Sequence, residues 1–549
     1  MAVGSYWVAD DNEVVREQTV GDLLRWAARQ APDVTALVEG HPEPERRRRW
    51  TYEELLTESE RAARALLDRF APGERVAVWA NSIPEWVLLE MAAALAGLTL
   101  VTVNPALRAD ELRHVLGHSR ASGVFLLDEY RGNPMAGSLA KIRPELPELR
   151  EAVRFAEWGE FLASGSASGR LPYVRPEDPA QIQYTSGTTG VPKGAVLHHR
   201  GITNSARLSY VPVLGLGQGD VHVNPMPLFH TAGCVLATLS SIASLGTQVL
   251  LPYFDPALQL ELISSERSAV FCGVPTMLIG LLNHPDFART DLSSVRVALS
   301  GGAVVAPELV RQVEGALGVP MCTIYAQTEA SPGISMTRAD DDPKDRAETL
   351  GRPLPRVEVR IVDPRDGTTT LPIGTTGEIC TRGYQVMTGY FDAPEDTAAA
   401  IDSAGWLHTG DLASMDDRGY LRIGGRLKEM IIRGGENIYP REIEQVLFAH
   451  PGVLDVAVVG IPDPIWGEQV AAFIRRAPGA TPGEDELAAY ARAHLAPHKT
   501  PRVWAFVDEF PLTGSGKVQK FLLRNRLILR DIGPVPRTSD PVEPVNRGA

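Results

Sequence analysis

Apolar positions along the chain follow two rhythms, one helical and one alternating. Residues 19–31 place Leu23, Leu24, Ala27 and Ala28 on one side at helical spacing, because positions three and four apart share a face of a 3.6-residue turn. A second helix starts at Thr51, which can cap it, with Glu54 in the capping-box position. It continues through Leu55, Ala62, Ala65 and Leu66. Residues 75–80 alternate as a strand, Pro84-Glu85-Trp86 opens a helix, and 98–103 and 121–127 are strands. Further on, 180–184 is a short strand, 200–210 a helix, 234–245 an apolar helix, and the strand from Val295 ends in paired glycines. Such alternation predicts an α/β fold with a largely parallel sheet. No internal repeat is evident.

After Arg352 the pattern changes. Residues 352–380 are alternating and punctuated by Pro and Gly, which predicts a small β subdomain. Past a boundary near 425, Pro440 starts a helix over 441–450 with Ile443, Val446 and Leu447 on one face. Strands at 453–461 and 468–475 and a helix from Glu484 to Leu495 follow. The expected architecture is a large N-terminal domain of layered α/β subdomains plus the β subdomain (1–425), and a small mobile C-terminal α+β domain (426–532). A Pro-rich polar tail at 533–549 is expected to be disordered.

Two stretches need separate reading. The most apolar run, 87–103, contains Glu90 and Gly97 and meets Asn104-Pro105, so it reads as a buried helix and strand; a membrane span needs about 20 apolar residues. The charge run Glu43-Pro44-Glu45-Arg46-Arg47-Arg48-Arg49 reads as a solvated hairpin tip, given its proline and mixed signs.

At 549 residues the chain exceeds one core. Its 44% apolar and 22% charged residues are those of a globular protein. A net charge of -14 argues against general binding to nucleic acid or anionic membranes, which needs a basic footprint. Cys234, Cys272, Cys322 and Cys380 form no CxxC pair, and the first residues lack a signal-peptide layout; a reducing cytoplasm is expected.

The candidate chemistry centres on 184–195, where Thr185, Ser186, Gly187, Thr188, Thr189, Gly190 and Lys193 lie in one loop. Glycine admits close backbone approach, hydroxyls and amides form an anion nest, and lysine adds mobile positive charge. The set suits phosphate oxygens, although its spacing is not that of the P-loop. Downstream, His230 sits at a strand-to-helix junction, Gly301-Gly302-Ala303 ends a strand, and Tyr325-Ala326-Gln327-Thr328-Glu329 ends the next. Tyr325 can stack on a flat base, and Glu329 is a hard oxygen ligand suited to Mg²⁺. Asp411 follows a glycine turn, Arg426 and Lys428 stand at the domain boundary, Gly434-Gly435 forms a loop, and Lys517 lies on a glycine turn.

This ordered set resembles the adenylate-forming superfamily of acyl-CoA synthetases, firefly-type luciferases and amino-acid adenylation domains. The resemblance spans about residues 15–525 in six motifs. Phe229-His230-Thr231-Ala232-Gly233 and the run from Lys428 to Pro440 are most similar to fatty- and aryl-acyl-CoA synthetases. The resemblance implies that a carboxylic acid is activated with ATP and Mg²⁺ to acyl-AMP, then passed to coenzyme A. An alternative is transfer to a carrier protein or an amine; no insertion of the carrier-specific sort precedes Arg426.

By resemblance, 185–193 hold the β/γ-phosphates, and Thr185 and Glu329 hold Mg²⁺. Gly301, Gly302, Ala303 and 325–328 take adenine, while Asp411 and Arg426 take the ribose. His230 lines the acyl and ATP site, and 426–428 is the hinge, with Lys428 at its moving point. Gly434 and Gly435 pass pantetheine, and Lys517 acts in adenylation. No Asp stands near His230 to hold an α-amino group, which disfavours an amino-acid substrate. Acyl-pocket candidates are 228–236, 273–277 and 326–333. A homodimer is compatible with this reading.

Overall fold

A computed structural model of the chain describes residues 4–10, 12–166, 169–185, 192–434, 436–511 and 518–528. By internal contacts the chain divides into two compact units. The first comprises Met1–Arg360, Cys380–Thr409 and Met415–Leu421; the second comprises Ile361–Ile379, Gly410–Ser414 and Arg422–Ala549.

Two large sheets build the first unit. The seven-stranded sheet runs, in spatial order, Gly389–Tyr390, Lys193–His198, Pro179–Thr185, Thr99–Val103, Arg75–Trp79, Gly123–Leu126 and Glu151–Arg154. Its strands are parallel from Pro179–Thr185 onward and antiparallel before it. The nine-stranded sheet has a parallel centre, in the order Met321–Ala326, Val297–Gly301, Val270–Cys272, Val221–Asn224, Thr247–Leu250 and Thr35–Glu39. Parallel strands covered by helices on both faces read as continuous apolar runs, and Thr99–Val103 is buried at every position.

The expected helices form for local reasons. Thr51 caps the helix Tyr52–Leu67, its hydroxyl accepting from the Glu54 amide while Glu54 accepts from the Thr51 amide. Thr19 and Asp22 do the same for Val20–Gln30. The run at 87–103 is the helix Pro84–Ala96, buried on nearly every side, which Gly97 ends at φ +68 before the strand Thr99–Val103. Among the described residues, no helix is long and apolar enough to cross a membrane.

Three elements differ from expectation. First, the segment after the glycine loop is a strand, Lys193–His198, antiparallel to Pro179–Thr185 with Thr185 opposite Lys193. The helix His199–Leu214 begins only after it. Second, the apolar segment after His230 is wound as a π-helix over Ala232–Leu239, then α over Ser240–Ala243. Consistent with the wider turn, Thr238 Oγ1 donates to Gly233 O five residues back, at 3.0 Å. Third, the charge run at 43–49 is not wholly solvated. Arg47 has a side chain only 1% exposed, with its guanidinium 2.6 Å from both Glu261 and Glu266. Desolvation of a guanidinium is tolerated when carboxylates meet it, and a local pattern cannot show partners more than 200 residues away.

Strands Tyr6–Trp7, Glu358–Val362, Gly377–Arg382, Leu407–Met415 and Leu421–Arg426 form a five-stranded sheet, the small β subdomain expected after Arg352. In the second unit, Glu436–Ile438, Ile431–Arg433, Gly467–Arg476 and Val453–Asp463 make an antiparallel sheet, and Val503–Phe506 pairs in parallel with Gly467–Arg476. The helix Pro440–Phe448 buries Ile443 and Leu447 in a core with Val458, Val470 and Leu487.

Candidate active site

The hairpin Pro179–Thr185/Lys193–His198 fixes the mouth of the glycine loop. Gly194 is required there, since a Cβ would stand 2.7 Å from Ile182 Cγ2 on the facing strand. Thr185 and Lys193 thus leave the sheet opposite one another. Ser186, Gly187, Thr188, Thr189 and Gly190 lie outside the described residues.

Lys193 Nζ lies 2.5 Å from Asp396 Oδ1 and 5.3 Å from the centre of the Tyr390 ring. The Tyr390 hydroxyl donates to Glu329 Oε1 at 2.9 Å. One aromatic side chain therefore touches both the lysine and the carboxylate singled out from the sequence. Burial, and then the Glu329 charge, push the Tyr390 hydroxyl pKa upward, so it stays a proton donor. Neither Tyr390 nor Asp396 was expected. Tyr390 is placed by strand Gly389–Tyr390, which pairs with Val196 and Ala195. Asp396 sits in the first turn of the helix Pro394–Ala400. A Pro followed by Glu395 and Asp396 is a helix-start signal that could have located it.

Behind Lys193 is a cavity of about 160 Å³ lined by His114, His118, Pro192, Phe391 and Asp396. His118 Nδ1 shares a 2.8 Å hydrogen bond with the Tyr184 hydroxyl. Its pKa is lowered, first by burial and then by His114, which favours a neutral ring near pH 7.

His230 stands between the strand Val221–Asn224 and the π-helix, its ring 4.5 Å from that of Phe229. Its carbonyl accepts from the amides of Gly233 and Cys234. Behind this segment runs a buried polar chain. Thr102 Oγ1 lies 3.0 Å from both Phe229 O and Gln183 Oε1, two acceptors for its one hydroxyl proton. Gln183 Nε2 donates to Gln181 Oε1, and Gln181 Nε2 donates to Glu90 Oε1 at 2.6 Å. Burial raises the Glu90 pKa well above the carboxylate range, so the group is held protonated.

The expected adenine segment is split between the sheet and its rim. Tyr325 is buried in the strand Met321–Ala326, whereas Ala326, Gln327 and Thr328 are half-buried at its end. Gln327 Nε2 donates to Thr409 O at 2.9 Å, and Glu329 follows in the turn Thr328–Ala330. Gly301 is explained by the neighbouring strand, since a Cβ there would meet Ile324 O at 2.8 Å. Gly302, at φ +74, and Ala303 are exposed.

In the second unit, Arg426 Nε lies 2.9 Å from Asp411 Oδ1. Asp411 is buried and Arg426 half-exposed, which leaves a paired carboxylate and guanidinium on adjacent strands. Lys428 is exposed in the turn Leu427–Glu429. Gly434 has φ +61, and the space over its Cα is taken by the Trp466 ring, 2.8 Å from where a Cβ would be. Gly435 and Lys517 lie outside the described residues.

The profile of the AMP-binding enzyme family matches residues 24–391, and that of the AMP-binding enzyme C-terminal domain matches 442–517. The protein YngI of Bacillus subtilis (strain 168) is 40% identical over 540 residues, covering 93% of this chain and 97% of YngI. The mitochondrial medium-chain acyl-CoA ligase ACSF2 of Bos taurus is 37% identical over 544 residues, covering 93% of this chain and 88% of that one. The crystal structure of ATP-bound MatB from Rhodopseudomonas palustris superposes with a TM-score of 0.84 at 30% identity, over 94% of this chain and all of that one. The glycine loop, the Lys193–Tyr390–Glu329 cluster and these matches along nearly the whole length agree: this chain belongs to the AMP-binding, adenylate-forming family of enzymes.

Proposed function

We propose that this chain is an AMP-forming acyl-CoA synthetase acting on a medium- to long-chain fatty acid or an aryl acid. The observation that carries the reading is Lys193 and Glu329 meeting at Tyr390, beside the mouth of the hydroxyl- and glycine-rich loop. In the first step a carboxylate oxygen attacks the α-phosphorus of ATP, and pyrophosphate leaves. In the second, the thiolate of coenzyme A attacks the acyl carbon, and AMP leaves. Charge placement and orientation do most of this work, as in phosphoryl transfer generally.

Residues 185–193 take the β/γ-phosphates, with Lys193 neutralising charge. Asp411 and Arg426 take the ribose, the carboxylate accepting from its hydroxyls. Gly302, Ala303 and the rim Ala326, Gln327 and Thr328 bound the base with Tyr325 and Gly301 behind them, and His230 lines the acyl side. Thr185 and Glu329 offer only hard oxygen donors, one hydroxyl and one carboxylate, which fit Mg²⁺ accompanying ATP and leave places for phosphate oxygens and water. Bound there, Mg²⁺ would draw charge from those oxygens. Lys428 is the hinge, Gly434 and Gly435 border the pantetheine path, and Lys517 meets charge developing on the attacked phosphate. Cytoplasmic residence is supported by four buried cysteines, none in a disulfide.

Transfer to a carrier-protein thiol or an amine is the second reading. AMP release measured over a panel of carboxylic acids, with and without coenzyme A, decides between them. Acid-dependent AMP release accelerated by coenzyme A is expected; acyl transfer only to a holo-carrier or an amine overturns the first. Lys517→Ala is expected to abolish acid-dependent pyrophosphate exchange, a loss of about 3–4 kcal/mol, while preformed acyl-AMP is still converted to thioester. Equal loss of both half-reactions would refute a role confined to adenylation.

A further inference from the structure

The segment Met387–Asp396 joins two parts of the site that lie far apart in sequence. On one side it extends the sheet beside Lys193: Thr388 N donates to Val196 O at 2.9 Å, and Phe391 N donates to Gly194 O at 2.8 Å. On the other it reaches Glu329 twice, through Met387 N to the Glu329 carbonyl at 2.9 Å and through the Tyr390 hydroxyl to Oε1 at 2.9 Å. The segment is braced by the helix that follows it, since Thr397 Oγ1 accepts from Tyr390 N at 2.9 Å. Tyr390 is half-buried, and its ring carries the Lys193 ammonium at 5.3 Å.

We propose that Tyr390 is a positioning residue that sets the Glu329 carboxylate and the Lys193 ammonium relative to one another. The inference rests on the reading of Glu329 as the metal ligand and of Lys193 as the phosphate cation. The hydroxyl occupies Oε1, fixing the plane of the carboxylate and leaving Oε2 to face a cation. Outer partners of ligating carboxylates act in this way, and their removal typically costs about 10–100-fold in metal affinity. The ring does separate work, because cation–π attraction holds Lys193 without spending an N–H donor; one of the three meets Asp396 and the other two stay available to phosphate.

Two functions on one side chain can be separated by two variants. Tyr390→Phe keeps the ring and loses the hydroxyl; Tyr390→Leu loses both. Binding of Mn²⁺ to the full-length protein with a non-hydrolysable ATP analogue is followed by electron paramagnetic resonance, and binding of the same analogue in EDTA is followed by calorimetry. Tyr390→Phe is expected to weaken Mn²⁺ binding about tenfold while leaving metal-free nucleotide affinity within twofold. Tyr390→Leu is expected to weaken metal-free nucleotide binding about 2–5-fold as well. A general packing defect would move both measurements in Tyr390→Phe, and that result overturns the proposal. Glu329→Gln separates the two levels of the argument. If it abolishes Mn²⁺ binding while Tyr390→Phe leaves it unchanged, Tyr390 does not position the ligand. If Glu329→Gln binds Mn²⁺ normally, the metal role of Glu329 itself fails, and the inference with it.

Discussion

Asp396→Asn tests how Lys193 is held before a nucleotide arrives. The ion pair is short, 2.5 Å, but water reaches both ends: the lysine side chain is 24% exposed and the aspartate 44%. Such pairs contribute about 0.2–1 kcal/mol. A phosphate oxygen that captures Lys193 must displace Asp396, so the wild-type protein loses that amount from ATP binding and the variant does not. At about 1.4 kcal/mol per factor of ten, Asp396→Asn should bind ATP about 1.4- to 5-fold more tightly. The Tyr390 ring remains beneath the ammonium, at about 0.5–1 kcal/mol, so Lys193 is not released to wander. Calorimetric titration of ATP without acid, at low and high salt, reads the effect. The gain should shrink as salt rises, because a partly exposed pair is screened. Tenfold weaker binding by the variant would refute the competition and show that Asp396 aims Lys193 at the phosphate.

Two further predictions concern stability. Arg47→Ala removes the partner of Glu261 and of the largely buried Glu266 and should destabilise the first unit by about 3 kcal/mol, read as an earlier first transition in urea. Because Arg49 also contacts Glu266, at 2.6 Å, the lower end of the range for a broken buried pair is expected; a shift below about 1 kcal/mol would show the cluster to be solvated. Glu90→Gln concerns pH. With its folded pKa raised above the unfolded value, Glu90 contributes stability fully present below about pH 4 and lost as pH rises through the folded pKa. Between pH 5 and 8.5 the wild-type melting temperature should therefore fall more steeply than that of Glu90→Gln, and parallel profiles would contradict a buried neutral acid.

What was legible in the sequence is what short-range chemistry decides. The box of Thr51 and Glu54, the proline openings at Pro84 and Pro440, and the apolar strand at 99–103 are each fixed within a few residues, and each appears in the structure. The α/β class and the small β subdomain followed from the alternation of such elements. The strand Lys193–His198 was overlooked because its six residues directly join a helix start, and their pairing partner lies across a loop rather than in a recognisable two-residue turn. Arg47 looked solvated because both carboxylates that neutralise it come from a distant helix and its end. For the candidate site, chemistry-bearing residue types stood out, but the side chain joining two of them did not. Tyr390 is an unremarkable aromatic until Lys193–His198 brings it beside Lys193 and Glu329.

The wide winding of Ala232–Leu239 bears on how the segment after His230 can be altered. A π turn contains about one residue more than an α turn of the same span. Deleting a single residue from this stretch would let it relax to α geometry with its end anchored, rotating the deletion's neighbours by about 100°. A one-residue change in length, rather than a set of substitutions, is thus enough to exchange which buried side chains follow His230.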